Sequence, residues 1–254
     1  HPGADDNASG VAALLEVARE LSRRREELTR DVLFVSFSAE EMGALGAHAF
    51  TRTPPAGLRL DGIVAMLNLD MVGRLRGNRL AVLGSESAAE WPERTTPLCA
   101  RLDLRCALSG DGYGASDQTP FYAAGIPVLH FFTGTHDDYH RPSDVAATIN
   151  AAGGARVAAL VAETVLNLPG NDPALTYREV PAPLPAGDVR ASGASLGTVP
   201  DFSDTEEGRP GVLLAAVRPG SAAAAAGIRK GDRLPPPPPP ASPGRHGPPA
   251  LPGE

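Results

Sequence analysis

Asp5-Asp6, Glu40-Glu41, Asp70 and His140 are the side chains of this 254-residue sequence whose types and spacing could do chemistry together. They lie in four polar stretches: Gly3-Ala4-Asp5-Asp6-Asn7-Ala8-Ser9-Gly10, Ser38-Ala39-Glu40-Glu41, Asn68-Leu69-Asp70, and His136-Asp137-Asp138-Tyr139-His140-Arg141-Pro142-Ser143-Asp144. Each has an ordinary structural use. Asp5 or Asp6 is a natural helix N-cap, paired glutamates favour the first turn of a helix, an Asp after a strand commonly makes a turn, and a lone histidine is more often a surface group than a ligand. Taken together they read differently. Adjacent carboxylates at the ends of apolar strands repel one another, and a divalent cation relieves that cost. Oxygen donors joined by an imidazole suit zinc, with manganese or cobalt as alternatives. Two such ions roughly 3.5–4 Å apart acidify a shared water and polarise a carbonyl. With a bridging carboxylate, terminal carboxylates and a separate Glu to shuttle the proton, that is a hydrolytic centre.

The elements that must position these groups are legible from hydrophobic pattern. Val11, Leu14, Leu15, Val17, Ala18 and Leu21 recur at helical spacing after the first loop. Val32 to Phe37 is a short continuous apolar run, as in a strand buried on both faces, and Glu40 and Glu41 follow it. A helix is expected from Met42 to Phe50, ended by Pro54-Pro55. Ile63 to Leu69 repeats the buried-strand pattern and closes on Asp70. Further strands are expected at Arg79 to Leu83, Leu104 to Leu108 and Pro127 to Phe132, with helices around Ala88 to Leu102, Gln118 to Ala124 and Ala151 to Leu168. This alternation predicts an α/β fold, a mostly parallel mixed sheet covered by helices on both faces. In such sheets ligands bind outside the carboxyl ends of the strands, where Glu40, Glu41 and Asp70 fall.

Composition removes other classes. The formal net charge is −7, so nothing suggests a basic nucleic-acid surface or a polybasic membrane patch. No uncharged apolar run reaches the roughly 18–20 residues of a membrane span. The opening His1-Pro2-Gly3 reads as the middle of a longer polypeptide. Cys99 and Cys106 allow at most one bridge and no Cys-based zinc pattern, so any metal must be held by Asp, Glu and His. Asn171 to Ala191 reads as a linker. From Pro235 to Glu254 there are ten Pro and three Gly in twenty residues, a disordered tail with a polyproline ligand as its functional alternative.

In the order Gly-Ala-Asp-Asp-Asn-Ala-Ser-Gly, Ala-Glu-Glu-Met-Gly, Asn-Leu-Asp-Met and Asp-Tyr-His, residues 1–168 resemble the zinc aminopeptidases of peptidase family M28. The resemblance implies a zinc-peptidase α/β sandwich and two zinc ions. It implies that Asp5 bridges them, that Glu41 and His140 bind one with Asp5, that Asp70 binds the other, and that Glu40 is the general base. Tyr139 looks like the phenol that hydrogen-bonds the oxyanion in some relatives, and the Asp5-Asp6 peptide is expected to be cis, as in the family. The family's fifth protein ligand, an upstream His, is expected to lie before residue 1, leaving this domain without its N-terminal portion. Relatives commonly carry Ser-Asp-His where this sequence has Ser116-Asp117-Gln118; Ser116 and Asp117 are read as loop-ordering residues. His48, His130 and His136 match no ligand and are assigned to core or surface.

Beyond a linker at 169–190, residues 191–234 resemble the first part of a PDZ domain, including Gly-Ser-x-Ala-x-x-Ala-Gly-Ile-x-x-Gly-Asp, before the proline run at 235–240. Such modules bind peptide C-termini by strand addition. The implied partner of the first domain is a peptide with a free N-terminus, and the implied location is extracellular or periplasmic. A carboxypeptidase or aminoacylase with the same metals, or a metal-free binding protein, are the alternatives.

Overall fold

The computed structural model describes residues 2–134, 136, 138–168, 170, 175–179, 196–200, 211–217 and 219–235. Helix α1 spans Gly10–Arg23, α2 Leu45–Arg52, α3 Trp91–Arg101, α4 Gln118–Ala123 and α5 Ala151–Leu166. Strands β1 (Met66–Leu69), β2 (Arg79–Leu83), β3 (Arg105–Ser109) and β4 (Val128–Phe132) form one sheet in the order β1-β4-β2-β3. β1 pairs parallel with β4, and β2 with β3, but β2 runs antiparallel to β4. The sheet is therefore mixed and mostly parallel, as expected, with its antiparallel step at the centre, between β2 and β4.

Side chains alternate between its faces, as the pleat requires. On one face Leu69, Leu80, Val82, Leu129 and Phe131 pack against Ala13, Val17 and Leu21 of α1, Leu98 of α3 and Val157, Leu160 and Val161 of α5. On the other, Val128 joins Phe121 and Tyr122 of α4 and Ala47 of α2. The spacing of Ala13, Val17 and Leu21 is one buried stripe of a helix whose outer face carries ion pairs such as Arg19–Glu16. Trp91 is fully buried; its Nε1 donates to Ser87 Oγ, which donates in turn to the Val128 carbonyl at 2.8 Å and ties α3 to β4. Cys99 and Cys106 form the one possible disulfide, joining α3 to β3.

Two local expectations are corrected. Residues 32–37 form no strand: no described neighbour supplies a ladder for them, and Leu33 and Phe34 are exposed at 59% and 38%. The run is anchored at its ends, by Val32 against the main core and by Phe37 ring against ring with Phe50 and Phe121. The second helix begins at Leu45 rather than Met42, because Ala39, Gly43 and Ala44 adopt left-handed backbone and make residues 40–44 a tight turn.

Part of the predicted linker, residues 175–179, is docked. Thr176 bonds Glu90 through its amide and hydroxyl, and Tyr122 donates its hydroxyl to the Arg178 carbonyl. Farther on, β5 (Thr198–Pro200), β6 (Val212–Val217) and β7 (Arg233–Leu234) form a small antiparallel sheet with a one-turn helix, α6 (Ala222–Ala225), capped by Ser221. Residues 169, 171–174 and 180–190 of the predicted linker, 191–195, 201–210 and 218 of the module, and the tail from 236 on lie outside the described residues. Among the described residues no helix is long and apolar enough to cross a membrane.

Candidate active site

The loop before α1 is built residue by residue. Asn7 reaches the end of β1: its Nδ2 donates to the Leu69 carbonyl at 2.9 Å, and its Oδ1 accepts from the amides of Gly10 and Met71. Gly10 permits that approach, since a Cβ there would lie 2.3 Å from Asn7 Oδ1 and 2.4 Å from the Leu69 oxygen. Ser9 bonds the Asp5 carbonyl and accepts from the Val72 amide. The loop is thereby fastened against the Asp70 turn, and the two adjacent aspartates leave it in different directions.

Asp5 turns inward. Its side chain is fully buried, one oxygen accepts from the Gly73 amide at 2.7 Å, and the other meets His136 Nε2 at 3.0 Å. Gly73 is needed here, because a Cβ would stand 2.8 Å from the Asp5 carboxylate. Asp6 turns the other way, toward Glu41 and His140. His140 Nε2 is 2.8 Å from Glu41 Oε1 and 3.1 Å from Asp6 Oδ2, and one ligand atom from each of the three lies within 4.8 Å of the others. Asp5, expected in this cluster, is replaced in it by Asp6. The cis peptide likewise joins Asp6 to Asn7, not Asp5 to Asp6. His136, assigned to core or surface, is a buried partner of Asp5.

Asp70, at the end of β1, accepts a hydrogen bond from Ser116 Oγ at 2.8 Å on one oxygen. Its other oxygen is buried without a hydrogen bond, as is Asp117 Oδ1, while Asp6 Oδ2 is buried with its 3.1 Å ion-pair contact to His140. Asn68 donates to both Ser116 Oγ and Gln118 Oε1, so the Ser116 expected to order the loop does so, through the Asp70 carboxylate. His130 Nδ1 meets the same Gln118 oxygen at 3.1 Å; burial pushes this imidazole down to about 4 and keeps it neutral. Tyr139 stacks its ring on His140 with centroids 3.8 Å apart.

Left-handed backbone at non-glycine residues recurs at these turns. Ala39 precedes Glu40, Met71 follows Asp70, and His140 itself has φ 55°. Each such residue costs on the order of 1 kcal/mol or more and persists where its surroundings hold it.

The carboxylates here oppose one another. Burial, then Asp70, Asp117, Glu41 and Asp6, push Glu40 up to about 8. Burial with Glu41 and Asp70 raises Asp6 to about 6, burial with Asp70 raises Asp117 to about 6, and burial raises Asp70. Orphaned oxygens on converging acids, closed by one imidazole, are the donor set of a divalent cation, and zinc accepts this mixture of oxygen and nitrogen. The residues present fit zinc.

The sequence profile of Peptidase family M28 matches residues 1–165. The chain belongs to peptidase family M28. It is 33% identical over 155 residues to Aminopeptidase YwaD of Bacillus subtilis, covering 56% of this chain and 32% of that protein. Among solved structures it resembles an aminopeptidase from Aneurinibacillus sp. strain AM-1 (28% identity, TM-score 0.53, 69% of this chain, 40% of that one). It also resembles BSAP, a zinc aminopeptidase from Bacillus subtilis (26% identity, TM-score 0.53, 68% and 43%). This M28 chain spans about a third of the length of the curated relatives it matches.

Crowded acids make a prediction for the metal-free M28 chain. A carboxyl whose pKa is raised on folding favours the folded state while protonated, and that contribution is lost as pH rises through the folded value. His130, lowered on folding, acts oppositely but only below its ordinary value of 6.5. From pH 6.5 to 8.5 Glu40 therefore dominates, and the urea midpoint of the metal-free protein should fall across that window. Zinc should abolish the slope. A midpoint that rises over this window without metal would contradict the electrostatics described for the site.

Proposed function

We propose that this chain carries the reaction centre of a zinc aminopeptidase acting on peptides with a free N-terminus. The observation that carries the reading is the convergence of Asp6, Glu41 and His140 beside the orphaned Asp70 oxygen and the acid-crowded Glu40. Asp6, Glu41 and His140 would hold zinc, and Asp70 would supply a further carboxylate to the same centre. Bound zinc supplies Lewis acidity, making a water nucleophilic near neutral pH and polarising the scissile carbonyl. Glu40 is the general base. Its carboxylate takes the proton of the attacking water and delivers it to the amine released when the C–N bond breaks. The exposed Tyr139, its ring stacked on His140, donates its hydroxyl to the developing oxyanion. Ser116 fixes Asp70 by one oxygen and leaves the other free for a cation.

The test compares aminoacyl-nitroanilides bearing free and acetylated amines, with zinc content measured on the same preparation. Turnover confined to the free amine, lost on chelation and restored by zinc, is the expected result. Faster cleavage of amino-blocked dipeptides with a free carboxylate would favour the carboxypeptidase or aminoacylase reading instead.

The residues after 190 are read as a PDZ-like module that takes peptide C-termini. The antiparallel arrangement of β5, β6 and β7 and the Ser221-capped turn support that reading. Export to an oxidising compartment accounts for the Cys99–Cys106 bridge, because disulfides persist outside the reducing cytosol.

A further inference from the structure

Arg74 follows Asp70 by four residues, and its side chain is only 13% exposed. Its Nη1 and Nη2 each lie 3.1 Å from Asp138 Oδ2, and Nη2 lies 3.2 Å from Asp144 Oδ1. Asp138 and Asp144 bracket the turn that carries Tyr139 and His140, and backbone bonds from Arg141 to Asp138 and from Asp144 to Arg141 close it. One planar guanidinium thus grips both ends of the His140 turn.

Asp144 is fully buried and uses its carboxylate a second time. Oδ1 and Oδ2 accept the Asp5 amide at 3.0 and 2.9 Å, and Oδ2 accepts the Asp6 amide at 3.1 Å. Those amides fix the peptide on which Asp5 and Asp6 diverge, one carboxylate toward Gly73 and His136, the other toward Glu41 and His140. The Asp70 turn, the Asp6 loop and the His140 turn therefore meet at one cation–anion pair.

We propose that Arg74 and Asp144 are positioning residues that set the Asp6-to-His140 separation, and with it the fit of the site to zinc. The proposal rests on the metal reading above, but the hydrogen bonds it invokes exist without metal. Lysine keeps the charge of Arg74 and loses the fork that spans two carboxylates. Asparagine keeps the shape of Asp144 and turns an NH2 group toward its donors.

Three variants of the protein test this: Arg74→Lys, Asp144→Asn, and Arg24→Met as a control, which removes an ion pair with Glu163 elsewhere in the fold. Two readouts are needed. Native-state amide exchange is followed at Asp5 and Asp6 in metal-free protein, and zinc affinity is measured by competition with a chromogenic chelator. The first two variants should accelerate exchange at Asp5 and Asp6 by about tenfold or more, the size of a lost charge-assisted hydrogen bond. They should weaken zinc about 10–100-fold, as loss of outer supports of a metal site does. Arg24→Met should change neither. Unchanged exchange at both amides overturns the proposal whatever happens to zinc, and so does an equal loss of zinc affinity in Arg24→Met, which would make the effect one of global stability. If wild-type protein takes up no zinc, the functional reading fails, while the exchange measurement still decides whether Arg74 and Asp144 hold the Asp6 loop.

Discussion

Replacing Glu40 with Gln is expected to leave zinc uptake intact and to lower turnover of an aminoacyl-nitroanilide by about 10²–10⁴-fold, the range that a positioned general base supplies. Glutamine keeps the length and planarity of the side chain and removes its ability to accept and return a proton. Glu40 lies outside the group formed by Asp6, Glu41 and His140, so metal retention should follow that group and not the base. The burial and acid crowding around Glu40 bear on the same experiment. A carboxyl pushed up to about 8 by burial and then by Asp70, Asp117, Glu41 and Asp6 in the metal-free chain is one whose surroundings resist its charge. Cations placed among those acids offset the resistance and return the carboxylate to its basic form. Loss of zinc with loss of turnover in Glu40→Gln would make Glu40 a ligand. Turnover equal to wild type would remove it from the chemistry.

How much of this was legible in the sequence differs from element to element. Strand β2 begins and ends at the predicted residues, Arg79 and Leu83, because an apolar run bounded by turn chemistry leaves little choice. Helix α1 was equally plain from the spacing of Val11, Leu14, Val17 and Leu21. Residues 32–37 carry the same kind of apolar signal as β1, yet a strand exists only where a neighbour completes its ladder, and no periodicity encodes that neighbour. A mixed sheet was expected, but which pair runs antiparallel was not legible for a related reason, since alternation of strands and helices does not fix the direction of each pairing.

Glu40, Glu41, Asp70 and His140 stood out as acids and an imidazole at loop positions, and the fold brings their segments to one place. Asp117 was read only as a loop residue, although its raised pKa and orphaned oxygen put it among the site's acids. Arg74 carried no signal, Asp144 closed the 136–144 stretch without a role assigned to it, and their partnership spans 70 residues. Only the folded chain makes them neighbours.

The choice between Asp5 and Asp6 shows this limit most sharply, and it yields a second large contrast. Two adjacent aspartates are identical in chemistry, so orientation alone assigns their roles. Asp144 captures both amides, Asn7 pins the next residue to the end of β1, and the chain between them has one way to turn. Asp5 then faces an amide and an imidazole with both oxygens occupied, whereas Asp6 faces a second acid, Glu41, and the His140 imidazole in one cluster of ligand atoms. Asp6→Asn removes the charge from the cluster, and zinc affinity should fall by more than the ~100-fold upper range of outer-support losses, taking turnover with it. Asp5→Asn should act on the fold. It replaces a carboxylate that accepts the Gly73 amide at 2.7 Å, a charge-assisted bond worth about 1.5–3 kcal/mol, so the urea midpoint should drop while the protein that remains folded keeps most of its zinc affinity. Measuring zinc competition and urea unfolding on both variants separates the two residues. The reverse pattern, with zinc lost from Asp5→Asn and kept in Asp6→Asn, would return the place of ligand to Asp5 and require the loop to turn over on binding metal.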